Sequence, residues 1–261
     1  MPVSYIYNKF YHELWCKDSH SGLHRTAPLR LQHPVIENFF VVSNPDNLLS
    51  PTIILPDLSP HLVIHHFRNG QTRARIIGPR RRSVFVSHHQ RKQTLILRLK
   101  PCGLYALTSV PLSDIVDRSV ALEEIMGGIL SYQELVDVMH ENSQDLLSFF
   151  ERSFLPTVQR QLQWGKILSS GKEIQRKKVH QLANELGISD RYLQKLSLRQ
   201  LGMSPKMVCK IERLACSLNL TSRHPDLPFS QLALESGYYD QSHMIDEYQQ
   251  FLRKTPGQLF G

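Results

Sequence analysis

A ten-residue pattern occurs twice in the C-terminal part of the chain. Residues 181–190 read QLANELGISD, and residues 231–240 read QLALESGYYD. The two copies share Gln, Leu, Ala, Glu, Gly and Asp at an offset of fifty residues, so that Asp190 matches Asp240. Such a close internal duplication predicts two copies of one small structural unit.

The first copy predicts a helix, a short turn and a second helix. Leu182 and Ala183 stand at helical spacing with polar residues between the apolar ones. Gly187 suits a helix C-terminus, where a positive φ is needed. Ser189 is predicted to cap a second helix that ends at Gly202. The pattern is that of a helix-turn-helix unit.

The second copy predicts the same arrangement. Ser230 is expected to cap its first helix, Gly237 to end it, and Asp240 to cap QSHMIDEYQQF. Downstream, LGMSP and LRKTP correspond at an offset of 51, and Pro205 and Pro256 suit the first turn of following helices.

The segment between the copies, SPKMVCKIERLACSLNLT, predicts one linker helix of ~16 residues, roughly 24 Å long. Two helix-turn-helix units joined by such a helix can hold their second helices, the reading helices, roughly 34 Å apart. This is the spacing of successive major grooves of DNA. The alternative is a plain helical bundle built from a duplicated helix pair.

Basic charge is concentrated in the repeated part. The chain has 31 Lys and Arg against 23 Asp and Glu. Up to residue 155 the counts are 16 and 14, and from residue 156 onward they are 15 and 9. A basic domain indicates a polyanion partner, although a solvated lysine-rich face has the same composition.

Three segments of this part resemble the AraC/XylS family of bacterial transcription regulators: LANELGISDRYLQKLSLRQLGMSP, KIERLACSLNL and QLALESGYYDQSHMIDEYQQFLRKTP. The resemblance covers about residues 172–260. It implies two helix-turn-helix subdomains joined by a linker helix, which recognise double-stranded promoter DNA. RNA polymerase is a further partner that the resemblance implies.

The N-terminal part resembles the sensory domain of one branch of that family. The resemblance is carried by ILPDLSPHLVIHH, IIGPRRRSVFV and LRLKPCGLYALTSVPLSDIVDRSVALEEIMG. It implies a small β-barrel followed by helices, and a small-molecule effector. The residues themselves also predict strands. This part contains short β-branched runs separated by turn signals such as Asn69-Gly70, namely TIIL, HLVIHHF, ARIIG, SVFVS and TLILRL. A barrel and a sandwich both fit these runs.

From about Leu122 the pattern becomes helical. The predicted apolar face can pack on the barrel or pair two protomers, and it comprises Leu130, Leu135, Val138, Leu146, Leu147, Phe150 and Phe154. The expected class is therefore α+β: a small β-barrel or cupin-like domain with helices, then an all-α domain. The predicted limits are 1–125 for the β-rich sensory domain, 126–171 for a helical connector and 172–261 for the DNA-binding domain.

The first reading helix is predicted to bury Leu193 and Leu196. Its opposite face and its start supply the candidate DNA contacts Ser189, Arg191, Tyr192, Gln194, Lys195 and Arg199. By family resemblance Arg191, Gln194 and Lys195 occupy base-reading positions. Gln pairs with adenine and Arg or Lys with guanine in the major groove. For each residue a solvated side chain or a phosphate contact is the alternative.

The second reading helix is predicted to expose Gln241, Ser242, Ile245 and Asp246, and to pack His243. A carboxylate at position 246 repels phosphate, so this helix is expected to read DNA weakly or with an altered preference. Predicted phosphate contacts elsewhere are Lys206, Lys210, Arg213 and Lys254. For Arg213, pairing with Glu212 or Glu185 is the alternative.

Other functions have weaker support in the sequence. A metal-binding cupin-like enzyme or sensor would use His61, His65, His66, His88 and His89, yet His65 and His66 are consecutive and would point to opposite faces of a strand. We therefore expect no metal, no cofactor and no enzymatic activity. A co-regulator that binds a partner protein and little DNA is a third possibility.

The remaining expectations concern effector and location. Arg80, Arg81 and Arg82 follow a predicted turn and can dock an anionic effector or form a solvated loop. The first fifteen residues lack a signal-peptide pattern, no apolar run reaches membrane-spanning length, and the four cysteines form no CxxC pair. A cytoplasmic monomer or homodimer is expected.

Overall fold

The computed structural model of the chain describes residues 34–43, 52–130, 132–138, 143–154, 163–169 and 173–260. Strands with a few helices make up its N-terminal part, and the C-terminal part is helical. The predicted α+β class, with a β-rich domain before an all-α domain, is confirmed. Among the described helices, none combines the length and the apolar character needed to cross a membrane.

Seven strands lie in the described residues: β1 (Ile36–Ser43), β2 (Thr52–Ile54), β3 (His61–Phe67), β4 (Thr72–Ile77), β5 (Val84–Val86), β6 (Arg91–Leu99) and β7 (Ser119–Ala121). Five form an antiparallel sheet in the order β1-β6-β3-β4-β7, and β2 pairs with β5 in a second ladder. The predicted Asn69-Gly70 turn joins β3 to β4, and Gly70 there has a φ of 82°.

The two faces of the large sheet differ in polarity. Leu62 of β3 lies opposite Ile76 of β4 and Leu97 of β6, and all three side chains are fully buried. The other face carries buried polar side chains, among them Thr94 and Arg98. The apolar face therefore builds the domain core, because alternate residues of a strand point to opposite sides.

Helices cover that apolar face. They are α1 (Gly103–Thr108), α2 (Leu122–Met126), α3 (Tyr132–Val138) and α4 (Ser143–Phe154). Leu130, Leu135, Phe150 and Phe154 belong to the same core cluster as the sheet, so this predicted helical face packs within the chain. The side chains of Val138, Leu146 and Leu147 lie outside the described residues.

The C-terminal helices are α5 (Gln163–Ser169), α6 (Val179–Glu185), α7 (Asp190–Leu201), α8 (Pro205–Arg223), α9 (Phe229–Ser236), α10 (Gln241–Leu252) and α11 (Pro256–Phe260). Their core includes Leu182, Leu193, Leu214, Leu232 and Met244, each no more than 1% exposed. The linker helix α8 has 19 residues, three more than expected, because the chain stays helical to Arg223.

One local prediction was wrong, and two strands were missed. Ser230 does not cap α9, since Pro228 occupies the N-cap and the helix begins at Phe229, which packs against the helical core. Strands β1 and β7 were not predicted. In β1, Glu37 and Asn38 interrupt the apolar pattern, and the pairing with β6 is irregular between Ile36 and Asn38.

The two parts of the chain are in direct contact. Leu58, in the loop between β2 and β3, is 2% exposed and belongs to the apolar cluster of the helical domain. The N–H of Ser83 donates to the carbonyl of Phe251 in α10 across 3.0 Å. Gly202, at the end of α7, lies so close to Leu112 that an added Cβ would come 2.7 Å from its carbonyl oxygen.

Candidate DNA-binding surface

The first helix-turn-helix unit consists of α6, a tight turn and α7. The N–H of Ile188 donates to the carbonyl of Ala183 across 3.1 Å, which closes the turn after Gly187. Ser189 caps α7, because its Oγ accepts the N–H of Tyr192 at 3.2 Å. Gly202 ends the helix with a φ of 74°. These predicted start and stop residues are confirmed.

The second unit, α9 and α10, has the same kind of turn and the same kind of helix cap. Gly237 ends α9 with a φ of 91°, and the N–H of Tyr238 donates to the carbonyl of Ala233 across 2.9 Å. Asp240 caps α10, because its Oδ1 accepts the N–H of His243 at 2.8 Å. The predicted cap at Asp240 is confirmed.

The structure shifts the register between the copies by one residue. In sequence Asp190 matches Asp240, but the residue that caps α7 is Ser189, so the two caps are 51 residues apart. The glycines Gly187 and Gly237 are fifty apart, so the second turn is one residue longer. Along the reading helices the correct correspondence is therefore the offset of 51.

Helix α7 turns a polar face to solvent. Leu193, Ser197 and Leu201 are fully buried on its inner side. Its outer side exposes Arg191, Tyr192, Gln194, Lys195, Leu198 and Arg199, and the cap residue Ser189 is exposed as well. Leu198 was missed by the sequence prediction, although its spacing of seven residues from Arg191 places it on the same face.

The outer face of α10 has a different character. Gln241, Ser242, Asp246 and Gln249 are exposed and Ile245 is partly buried. With the offset of 51, Ser242, Ile245 and Asp246 stand where α7 has Arg191, Gln194 and Lys195. Helix α7 contains three Lys and Arg residues, whereas α10 contains none and has two carboxylates. Of those two carboxylates only Asp246 is exposed, and α7 carries one of its own, Asp190. The outer face of α10 is therefore less basic than that of α7.

The arginine predicted nearest the end of the first reading helix contacts the N-terminal domain. The guanidinium of Arg199 lies 5.8 Å from the ring centroid of Tyr105 in α1, a distance at which a cation and an aromatic ring attract. Lys206 and Lys254, predicted as phosphate contacts, are exposed. The DNA contacts of all these residues remain predictions.

Two cations of the linker helix are paired inside the domain. Arg213 donates to Glu247 at 2.9 Å, and Lys210 Nζ lies 3.4 Å from the same carboxylate. The alternative to a phosphate contact, pairing of Arg213 with Glu212 or Glu185, named the wrong acid, because α10 places the buried Glu247 against α8. His243 is packed as predicted, with Nε2 3.3 Å from Glu247.

Two of the three arginines predicted to bind an effector, Arg80 and Arg81, form hydrogen bonds within the N-terminal domain. Arg80 exchanges two backbone hydrogen bonds with Asp57, at 2.8 and 2.9 Å. Arg81 Nε donates to Asp117 Oδ2 at 2.6 Å, and Arg82 is exposed. A site for an anionic effector at this turn remains a prediction.

The histidines make ordinary hydrogen bonds. Nδ1 of His65 is 3.0 Å from Thr94 Oγ1, and burial lowers the pKa of His65 to about 3. Nδ1 of His66 is 3.0 Å from Thr72 Oγ1. Across the described ranges, no group of three or more His, Cys, Asp and Glu side chains is arranged to hold a metal ion.

A buried acidic cluster lies where the N-terminal domain faces the linker helix. Arg98 binds Asp57 through both carboxylate oxygens and donates from Nε to Glu37 at 2.7 Å. Burial outweighs Arg98 and raises the pKa of Asp57 to about 6. Burial, together with the nearby Asp57 and Glu37, raises the pKa of Glu212 in α8 to about 7. Arg98 thus binds two carboxylates, those of Asp57 and Glu37, and the Glu212 carboxyl group of α8 interacts electrostatically with this cluster.

Comparisons with known proteins agree with this geometry. Residues 182–261 match a family described as a helix-turn-helix domain, and residues 24–121 match one described as a domain of unknown function. No curated protein sequence matches the chain.

Among solved structures, the chain is similar to ToxT from Vibrio cholerae. A 1.65 Å structure of ToxT is 12% identical, covers 85% of this chain and 96% of that chain, and has a TM-score of 0.42. The fatty-acid-bound form is 13% identical, with 89% and 97% covered and a TM-score of 0.41. The form bound to (E)-4-(8-methylnaphthalen-1-yl)but-3-enoic acid is 13% identical, with 85% and 96% covered and a TM-score of 0.43.

The C-terminal domain, with two capped helix-turn-helix units on one linker helix, makes the chain a DNA-binding transcription regulator. The resemblance read from its segments is confirmed. The chain is similar to the AraC/XylS regulators, and its β-rich domain stands before the DNA-binding domain.

Proposed function

We propose that the chain regulates transcription by inserting α7 and α10 into two successive major grooves of promoter DNA. The observation that carries this proposal is the equivalent capping of the two helices, by Ser189 and Asp240, on either side of α8. A cap fixes where a helix starts and so which side chains its first turns present. In helix-turn-helix proteins it is the N-terminal part of the second helix that contacts base edges.

The two helices are proposed to contribute unequally. Arg191, Gln194 and Lys195 of α7 carry base recognition, since these side chains can form the hydrogen bonds that identify guanine and adenine. In α10 the corresponding face holds Ser242, Ile245 and Asp246. We expect it to add little electrostatic affinity and to recognise a narrower set of bases, with Asp246 accepting from a cytosine amino group.

The N-terminal domain is proposed to respond to an effector in the cytoplasm of a bacterial cell. Leu58 and Leu112 support this assignment, because both contact the helical domain and can transmit a change in the β-rich part. We retain domain limits of 1–125, 126–171 and 172–261. A contact with RNA polymerase completes the proposed activity.

The testing experiment is a selection of bound sequences from a random double-stranded DNA library at near-physiological salt. Two sequence boxes about one helical turn apart are expected, one for each helix. A single box would restrict base reading to α7. Absence of any enriched sequence would contradict the proposal.

The second candidate function is a co-regulator that binds a partner protein and little DNA. It is favoured by one observation, the exposed Asp246 in a reading helix without basic side chains. Lys195→Ala separates the two functions. It should weaken sequence-specific DNA binding by about 1–3 kcal/mol if α7 reads bases, whereas a co-regulator would keep its regulatory effect.

A further inference from the structure

An exposed leucine interrupts the polar outer face of α7. Leu198 is 44% exposed, while its helical neighbours on that face, Arg191, Gln194 and Lys195, are the candidate base readers. It follows Arg191 by seven residues, which is two helical turns, and Gln194 and Lys195 by four and three. The leucine therefore lies near the centre of the exposed arc.

The fold of α7 does not depend on this side chain. The inner face of the helix is complete, because Leu193 and Leu201 are fully buried and Gln200 is nearly so. The carbonyl of Leu198 accepts the N–H of Gly202 at 3.0 Å, a backbone contact that any residue can make. Lys, Arg or Gln would form this helix as readily and would avoid exposing apolar surface to water.

We propose that Leu198 contacts the C5-methyl group of a thymine in the major groove and thereby extends the base-reading surface of α7. This inference rests on the proposed function. The thymine methyl is the apolar group that a base pair presents in this groove, and leucine has no hydrogen-bonding atom with which to read any other feature.

The geometry locates the contact within the site. Seven residues of helix span about 10.5 Å at 1.5 Å per residue. Base pairs are stacked about 3.4 Å apart. About three base pairs is therefore the largest separation expected between the thymine and the base that Arg191 contacts, reached only if α7 runs parallel to the DNA axis.

The second unit provides an internal comparison. With the offset of 51, Gln249 of α10 occupies the position of Leu198, and it is exposed. A glutamine makes hydrogen bonds to adenine and gains little from a methyl group. Dependence on a thymine methyl should therefore appear in the box read by α7 and not in the equivalent position of the other box.

Contact with the N-terminal domain is the competing role for Leu198, because its neighbour Arg199 packs on Tyr105. A matched control is available in Leu234, which is 58% exposed on α9, outside both reading helices. Leu234→Ala removes the same side chain from an exposed helical position without touching the proposed reading surface.

The test uses the full chain and the duplexes selected from the random library. Each thymine is replaced in turn by deoxyuridine, which removes only the C5-methyl group, and Kd is measured for the wild type, Leu198→Ala and Leu234→Ala. At one thymine in the α7 box the wild type should bind about fourfold more weakly after replacement, the ratio expected for one buried methyl group. Leu198→Ala should bind thymine and uracil at that position equally, and Leu234→Ala should behave as the wild type.

Two results would overturn this inference while leaving the proposed function intact. One is a wild type whose Kd is unaffected by deoxyuridine at every thymine. The other is a Leu198→Ala variant that binds more weakly but keeps the full uracil penalty, which would assign the side chain to packing. A wild type that selects no DNA sequence would overturn the proposed function and this inference together.

Discussion

Arg213 of α8 and Glu247 of α10 form an ion pair in which Nη2 donates to Oε1 across 2.9 Å. Glu247 is 2% exposed, and Lys210 and His243 lie 3.4 and 3.3 Å from the same oxygen. Arg213 also donates from Nη1 to the carbonyl of Gln175 at 3.0 Å. One buried carboxylate therefore ties the linker helix to the second helix-turn-helix unit.

Arg213→Ala should destabilise the helical domain by about 2–4 kcal/mol, because it leaves the buried carboxylate of Glu247 without its main partner. The measurement is the free energy of unfolding in urea. Arg223→Ala is the control, since Arg223 is exposed in the last turn of the same helix and should cost less than ~1 kcal/mol. Equal losses for the two variants would show that the buried pair has no special role.

Asp246→Arg should raise affinity for nonspecific DNA and steepen the salt dependence of binding. A new cation at this position can neutralise one phosphate, which changes the slope of log K against log salt by about 1. Titrations of a nonspecific duplex at several salt concentrations measure it. Asp226→Arg makes the same charge change at an exposed residue in the segment between α8 and α9. If both variants leave the slope unchanged, α10 does not approach the DNA.

Gly202→Ala should be more destabilising than Gly187→Ala. Both glycines have positive φ, 74° and 66°, so both alanine variants are strained by roughly 1–2 kcal/mol. The added methyl group meets the Leu112 carbonyl at 2.7 Å only at Gly202, whereas nothing lies within 4 Å at Gly187. The difference between the free energies of unfolding of the two variants measures the effect of the contact between the domains. Equal free energies would mean that the interface accommodates the added methyl group without loss of stability.

Glu212→Gln should stabilise the protein increasingly as pH rises from about 4.5 to about 7. Burial and the facing carboxylates of Asp57 and Glu37, partly offset by Arg98, raise the pKa of Glu212 from 4.5 to about 7. A carboxyl group with a raised folded-state pKa holds its proton better in the folded state, so stability is lost as pH rises through this window and is constant above it.

Glutamine does not titrate, so the stability difference between variant and wild type reports Glu212 together with its coupling to Asp57 and Glu37. It should grow in favour of the variant by about 1–3 kcal/mol across the window, measured by urea unfolding at each pH. A difference that does not vary with pH would place Glu212 in contact with solvent.

Local chemistry was enough to predict much of the helical domain. Ser189, Gly202, Gly237 and Asp240 act within four residues of their own positions, through caps and positive φ, so their roles could be read from the chain directly. The cap at Ser230 was wrong because the packing of Phe229 decides where α9 begins. Strand β1 was missed because its pairing with distant β6 outweighs its irregular local pattern.

The features of the candidate site also separate into those that the sequence predicts and those that depend on the tertiary structure. Arg191, Gln194 and Lys195 could be predicted to share an outer face, because a helix repeats every 3.6 residues. The burial of Glu247 could not, since nothing in MIDEYQQF tells which of its acids meets Arg213 on a helix 34 positions away. The stacking of Arg199 on Tyr105 likewise depends on how the two domains dock.

By itself the sequence determined the duplicated unit, the caps of its second helices and the resemblance to a family of regulators, since repeated local signals need no tertiary information. Only the tertiary structure decided the internal pairing of Arg213 and the burial of Leu58 against the helical domain. The physical reason is that caps and helical periodicity act within a few residues. Domain docking and buried ion pairs depend on contacts between residues far apart in the chain.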